Sequence, residues 1–333
     1  MANYVLLFSL FSFFIIFFKR EKITKKLGII DKPDKKRKFH KIETSTIAGI
    51  LLGAILIPFF LIFKELNQIN NSLIFLSILY VIALGVSGIF DDIKNINANK
   101  KFIIFIISTF ILVLLNEILI VEKIYFEYFD KYIYLFGTSI IFTVFCVVLL
   151  INSFNLIDGK NGIFLSYIAF LFIIFFYQNN IYFKIYIILI FILIIFNVKG
   201  DFFSGNSGTN IGSTFFAIIT LYYYNTKQIM PISGDILTAE IIFLIFIIPG
   251  IDMLRVFAER FVKNKNPFAP DNNHLHHLIC KVVNEKIVFI PYTILFSLPY
   301  IVSLLINMEN LYIITISILI YFLIFIYLKK IKN

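Results

Sequence analysis

Apolar runs long enough to cross a lipid bilayer recur from one end of this sequence to the other; residues 3–18, 102–121, 133–152 and 311–328 are the clearest. A span needs roughly 17–25 such residues. Lipid offers the backbone no hydrogen-bond partner, so each run has to close its own bonds as a helix. Eleven spans are predicted, at about 3–18, 44–63, 73–90, 102–121, 133–152, 163–177, 181–197, 211–225, 237–253, 287–306 and 311–328. Composition agrees, since only 15% of residues are charged, against about a quarter in soluble domains. The expected fold class is an all-α polytopic membrane protein, with residues 1–333 forming a single integral membrane domain.

A net charge of +10 invites a nucleic-acid partner, but the basic residues lie between the spans. With the N-terminus outside, the inner segments are 19–43, 91–101, 153–162, 198–210, 254–286 and 329–333. They hold 25 of the 30 Lys and Arg. This is the positive-inside bias of a membrane chain, and no nucleic-acid partner is expected. The C-terminus is then cytoplasmic. Residues 1–18 read as a first span and not a signal peptide, because no basic region precedes them. Cys146 falls inside a span and Cys280 in a basic loop, so no disulfide framework is expected.

Polar residues at the edge of a membrane are costly and are usually retained for function. They cluster in four inner segments. Asp91 and Asp92 end the third span, with Lys94, Lys100 and Lys101 close behind. The plain reading is that they stop a helix in the headgroup zone. The functional one is that two carboxylates serve a divalent cation or a proton transfer. The segment from Asn152 to Gly162 carries Asn152, Asn155, Asp158 and Asn161. Asp-Gly and Asn-Gly form turns, but a turn does not require Asn152 and Asn155 inside the preceding span. From Lys199 to Gly212 a Gly/Ser/Thr/Asn-rich stretch opens onto a helix, which suits phosphate or a flexible connector equally. Finally, His274, His276 and His277 follow Asn266-Pro267-Phe268-Ala269-Pro270-Asp271. Zinc would want a further ligand nearby. Histidines with Arg255, Arg260, Lys263 and Lys265 suit a diphosphate better.

The ordered series Asp-Asp, Asn-x-x-Asn-x-x-Asp-Gly, Gly-x-Ser-Gly and Pro-Phe-x-Pro-Asp-x-x-His-x-His-His resembles the polyprenyl-phosphate N-acetylhexosamine-1-phosphate transferase family, over about residues 28–280. The resemblance implies a bacterial inner-membrane enzyme with a cytoplasmic site, initiating cell-envelope glycan synthesis. It would move a sugar-1-phosphate from a UDP-N-acetyl sugar to a polyprenyl phosphate, with magnesium or alternatively manganese. By motif, Asp91, Asp92 and Asp158 would be catalytic, and Asp92, Asp158 and Asn206 would hold the metal. Lys101, Asn152, Asn155, Asn161, His274, His276 and His277 would bind substrates. A homodimer is compatible with the resemblance.

The chain departs from the family where Asn206 replaces an Asp, where Asn161 stands for a frequent Asp, and after His40, where Pro and Arg are absent. An amide oxygen binds magnesium without the charge of a carboxylate, and Asp201 lies near enough in sequence to substitute. Two rival readings remain at this level. A transporter would place acids near the bilayer midplane, whereas these sit at span ends on one side. A non-catalytic relative would bind lipid or nucleotide without turnover.

Overall fold

The computed structural model describes residues 1–31, 43–178, 180–264 and 273–331. His40, Lys265 and residues 266–272 lie outside the described residues. Among those described, thirteen helices follow in order: α1 (Ala2–Phe18), α2 (Arg20–Leu27), α3 (Ala48–Asn67), α4 (Asn71–Lys94), α5 (Ala98–Leu115), α6 (Ser139–Ile157), α7 (Ile163–Phe176), α8 (Ile181–Lys199), α9 (Gly205–Thr226), α10 (Ala239–Val262), α11 (Leu275–Ile279), α12 (Phe289–Leu305) and α13 (Asn310–Lys330). Each apolar segment read from the sequence overlaps one of the longer helices, whose ends differ from the expected bounds by several residues. Seven are long and apolar enough to cross a membrane, or eight if α1 and α2, bent by 74°, form one span. The protein is therefore an all-α, multi-pass membrane protein.

Helix starts follow local chemistry. The Asn70, Asn97 and Asn180 side chains accept from the amides of Ser72, Asn99 and Phe183, and Thr238 accepts from Ile241. These caps meet orphan donors that lipid and headgroups would leave unpaired.

α9 lies at the centre of the bundle, buried from Ser207 to Tyr223, against α3 and α4. Glycines make this close crossing. A Cβ on Gly88 would stand 2.5 Å from Ser207 Cα and 2.6 Å from the Asn206 carbonyl oxygen, and one on Gly49 would stand 2.4 Å from the Gly208 amide nitrogen. These neighbours are backbone and cannot rotate away, so small residues are required on these faces. Above the crossing, Phe59 meets Phe172, Phe176 and Tyr186 edge-on at 4.7–4.9 Å, a favoured aromatic geometry.

Two local expectations are corrected. The spans drawn at 102–121 and 133–152 run too far. α5 ends at Leu115 and α6 begins at Ser139, and between them Lys123–Phe126 (β3) pairs antiparallel with Lys131–Tyr134 (β4). The two arms, Ile124-Tyr125-Phe126 and Tyr132-Ile133-Tyr134, are built of aromatic and β-branched residues, which favour strands, and Glu127 and Asp130 lie in the turn between them. A second, shorter pair joins Ile30–Asp31 (β1) to Thr44–Ser45 (β2). The other correction concerns residues 205–210, drawn as loop. They are the first turns of α9, because their small side chains fit the crossing and their polar groups find partners inside the bundle. Asn210 Nδ2, for instance, donates to the Leu84 carbonyl.

Candidate active site

The C-terminal ends of α4, α6 and α8 and the N-terminus of α9 meet at one end of the bundle, around a cavity of about 770 Å³. Asp92, Asn155, Asp158, Asn161, Asn206 and His277 all line it, together with Lys160, Lys199 and Lys286. The four sequence segments, separated by up to 185 positions, are thus brought to one chamber.

Asp91 and Asp92 are adjacent on a helix, so their side chains point about 100° apart. Asp92 turns to the cavity and caps α9: its carboxylate accepts from the Asn206 amide at 2.8 Å, from Asn206 Nδ2 at 2.9 Å and from the Ser207 amide at 3.3 Å. An anion at a helix N-terminus is favoured by both the free N–H groups and the dipole. Those amides, which the sequence alone suited equally to a phosphate or to a flexible connector, are engaged by Asp92. Asp91 turns away from the chamber and is buried. It accepts from the Ile96 amide at 2.6 Å and pairs with Lys101 Nζ at 2.5 Å. Lys101 also donates to Asn206 Oδ1 at 2.8 Å. Asn206 thus stands between the two charges, its nitrogen on a carboxylate and its oxygen on an ammonium.

Asp158 follows the last residue of α6. Burial pushes its carboxyl well above the usual carboxylate range; the Ser204 hydroxyl opposes that rise and the charge of Asp92 adds to it. Two carboxylates sharing a cavity in this way call for a cation. Asn155 Oδ1 accepts from the Thr209 hydroxyl, joining α6 to α9. Asn152 donates to its own helix at the Val148 carbonyl and does not line the cavity.

The three histidines part company. His277 lines the cavity, while His274 and His276 are buried, 3% and 0% exposed. The Nε2 of His276 lies so close to Gly159 that a Cβ there would stand 1.9 Å away. Neither of its ring nitrogens has a hydrogen-bond partner among the described residues. Burial, with the nearby His277 and His274, holds this imidazole well below the ordinary histidine value. His274 Nδ1 instead meets Asp252 Oδ2 at 2.8 Å.

Asp252 was not among the residues singled out from sequence. It also accepts from the Leu275 amide, Arg255 Nη2 and the Tyr321 hydroxyl, and Arg255 Nη2 reaches the Asn273 carbonyl. This buried cluster ties α10, α13 and the histidine segment together. The available signal was an acid with a basic residue three positions on, inside an otherwise apolar run. Asn197 was also missed. It accepts from the Gly162 amide at 2.6 Å and donates to the Phe202 carbonyl at 2.8 Å, joining the loops before α7 and before α9.

Magnesium takes hard oxygen donors and commonly uses one or two carboxylates with substrate phosphates and water. Asp92 and Asp158, from the ends of α4 and α6, both line the cavity and supply such a pair. No group of three or more His, Cys, Asp or Glu suited to a metal occurs among the described residues. The donor set fits an ion shared with a phosphorylated substrate, and not a closed structural site.

Fold and cavity together define a multi-pass membrane protein with a polar chamber of carboxylates, amides and cations at one end of its bundle. Residues 73–224 match the family model of glycosyl transferase family 4, which bears out the resemblance drawn from the motifs. The chain is also similar to proteins named undecaprenyl-phosphate alpha-N-acetylglucosaminyl 1-phosphate transferase. It is 25% identical to that of Thermotoga maritima over 279 residues, covering 82% of this chain and 81% of the relative. It is 26% identical to that of Escherichia coli K12 over 299 residues (82% and 74%) and 27% identical to that of Yersinia pestis over 294 (84% and 75%).

Proposed function

We propose that this protein transfers a sugar-1-phosphate, of the N-acetylhexosamine class, from a UDP-sugar to a polyprenyl phosphate in a bacterial inner membrane. An oxygen of the lipid phosphate attacks the β-phosphorus of the UDP-sugar. The bond from that phosphorus to the bridging oxygen breaks, UMP leaves, and a polyprenyl-diphosphate sugar remains. The observation that carries the reading is the convergence of Asp92, Asp158, Asn206 and His277 on one cavity, in a chain similar to transferases of that name.

Asp92 and Asp158 would hold magnesium, with Asn206 beside them, and the ion when bound would offset charge on the transferring diphosphate. Lys199 and Lys286, with His277, give the chamber the cations that a diphosphate needs, while Lys160 is paired with Glu285 on the same lining. Lys101 pairs with Asp91 and holds the Asn206 oxygen. His274 and His276 act by fixing the segment that presents His277. The Lys and Arg distribution supports eleven spans with the N-terminus outside, which turns the chamber to the cytoplasm. Proteins of this reaction class would start cell-envelope glycans.

Membranes containing the protein, given radiolabelled UDP-N-acetyl sugars, polyprenyl phosphate and magnesium, should move label to lipid with stoichiometric UMP release. Lipid labelling without UMP, or none with any of the sugars, would overturn the proposal.

A further inference from the structure

Between α10 and α13, on the outward face of the bundle, runs a groove of about 610 Å³. Its walls are apolar, with Ile251, Leu254 and Val262 on α10 and Ile318 and Phe322 on α13. Leu254 and Val262 are 55% and 80% exposed. In a membrane such a concavity is filled by lipid chains, because water gains nothing there and a void loses packing. Its mouth is different. Lys263, just past the end of α10, and Lys329, in the last turn of α13, both line it at the same end of the bundle. Both are exposed and neither makes an ion pair among the described residues. Lys329 Nζ lies 5.3 Å over the Phe325 ring. The acid at the mouth, Glu259, is already paired with Arg255, so the free charge is positive.

We propose that this groove binds one anionic glycerophospholipid of the adjoining leaflet, its phosphate held by Lys263 and Lys329 and its acyl chains lying along Leu254 and Phe322. Charge complementarity selects an anionic headgroup over a zwitterionic one, since paired basic residues at a membrane surface attract acidic lipids. The occupant would rest against Arg255, which closes the back of the groove, stacks 4.1 Å over Phe325 and holds both Asp252 and the Asn273 carbonyl. A bulk lipid would thereby brace the histidine segment from outside the chamber. The inference rests on the chain being a membrane protein and not on the transfer reaction, and its test contains no nucleotide sugar.

The full chain would be purified and placed in nanodiscs of phosphatidylcholine with a minor share of phosphatidylglycerol. Retained lipid would then be read by native mass spectrometry. The wild type should hold one phosphatidylglycerol in preference to phosphatidylcholine. One lysine near an acidic surface is worth about a fivefold factor, so Lys263→Gln with Lys329→Gln should lower the preference about 30-fold. Leu254→Trp, which fills the groove and keeps both lysines, should also lose the bound lipid. Equal selectivity in the lysine variant overturns the proposal. So does retention in Leu254→Trp, which would reduce the effect to general surface attraction. Displacement of the phosphatidylglycerol by one equivalent of polyprenyl phosphate would assign the groove to that lipid instead. A wild-type mass of two chains that falls to one in Leu254→Trp would assign it to a second copy.

Discussion

Asn206→Asp changes the charge at the most crowded point of the chamber. The new carboxylate would face Asp92 Oδ1 across the 2.9 Å now spanned by an N–H···O bond. At an effective dielectric near 20, two unit charges at that distance repel by about 6 kcal/mol. Lys101 Nζ stands 2.8 Å from the Asn206 oxygen and returns an attraction of the same size. The two nearly cancel, leaving the lost hydrogen bond to a charged acceptor, about 1.5–3 kcal/mol. The group Asp91, Asp92, Lys101 and residue 206 meanwhile passes from one net negative charge to two. The variant should therefore be less stable than the wild type in EDTA, by a few degrees in thermal midpoint, and should recover more on adding magnesium. Its magnesium half-saturation for transfer should fall about tenfold, equivalent to about 1.4 kcal/mol, with the rate preserved or raised. Midpoints in EDTA and in magnesium, beside a magnesium titration of labelled-sugar transfer, measure both effects. Unchanged metal dependence would refute the assignment of residue 206 to the metal site. Asp201 is exposed and does not line the cavity, so Asp201→Asn should leave the titration unmoved; a shift there would transfer the role to it.

Asp92→Asn and Asp158→Asn should abolish transfer while the protein still inserts and keeps its thermal midpoint within a few degrees; near-normal turnover in either removes it from the chemistry. Gly159→Ala drives a methyl into His276 and should raise KM for the UDP-sugar, with partial rescue by Gly159→Ala/His276→Ala; no rescue would mean that the loop backbone and not the ring is at fault. His276 is held neutral well below the ordinary value, while the released segment titrates near 6.5. Docking is then fully stable above about pH 6.5 and weakens as pH falls, by up to about 1.4 kcal/mol per unit. Thermal midpoints at pH 7.5 and 5.5 should diverge in the wild type and converge in His276→Gln, and an equal slope in both would contradict it. Gly88→Ala places a carbon against immobile backbone and should cost about 1–3 kcal/mol, read as lost yield of folded protein in detergent; normal yield would show that α4 and α9 can separate.

The helices were legible because lipid imposes one solution on a long apolar run, whatever its partners. The strand pair at 123–134 was missed because only hydrophobicity was weighed there, and the strand-favouring aromatic and isoleucine residues of its arms score simply as apolar. The separate directions of Asp91 and Asp92 follow from helix geometry, but which of them meets Lys101 depends on where α5 begins. Asn206 was readable as a departure from a motif, yet its place between a carboxylate and an ammonium needs α4, α5 and α9 assembled. His274 illustrates the deepest limit. Three histidines within four residues look equivalent in sequence, and only the position of Asp252, 22 residues earlier on another helix, sends one of them away from the chamber.

The polar start of α9 carries a consequence for how the protein is made. The first six residues, Gly205 to Asn210, contain no aliphatic side chain larger than threonine's methyl, and α9 is not among the helices apolar enough to cross a membrane by composition. A nascent segment of this kind has little tendency to leave the translocon for lipid by itself. Its partners, the glycine faces of α3 and α4 with the Leu84 carbonyl and Asn155, are synthesised earlier and can be waiting in the bilayer. Biogenesis would then proceed by templating, with α9 admitted only into a slot already built. A chain that mis-inserts α4 would leave α9 stranded for quality control, so an assembled chamber would certify a correctly inserted bundle.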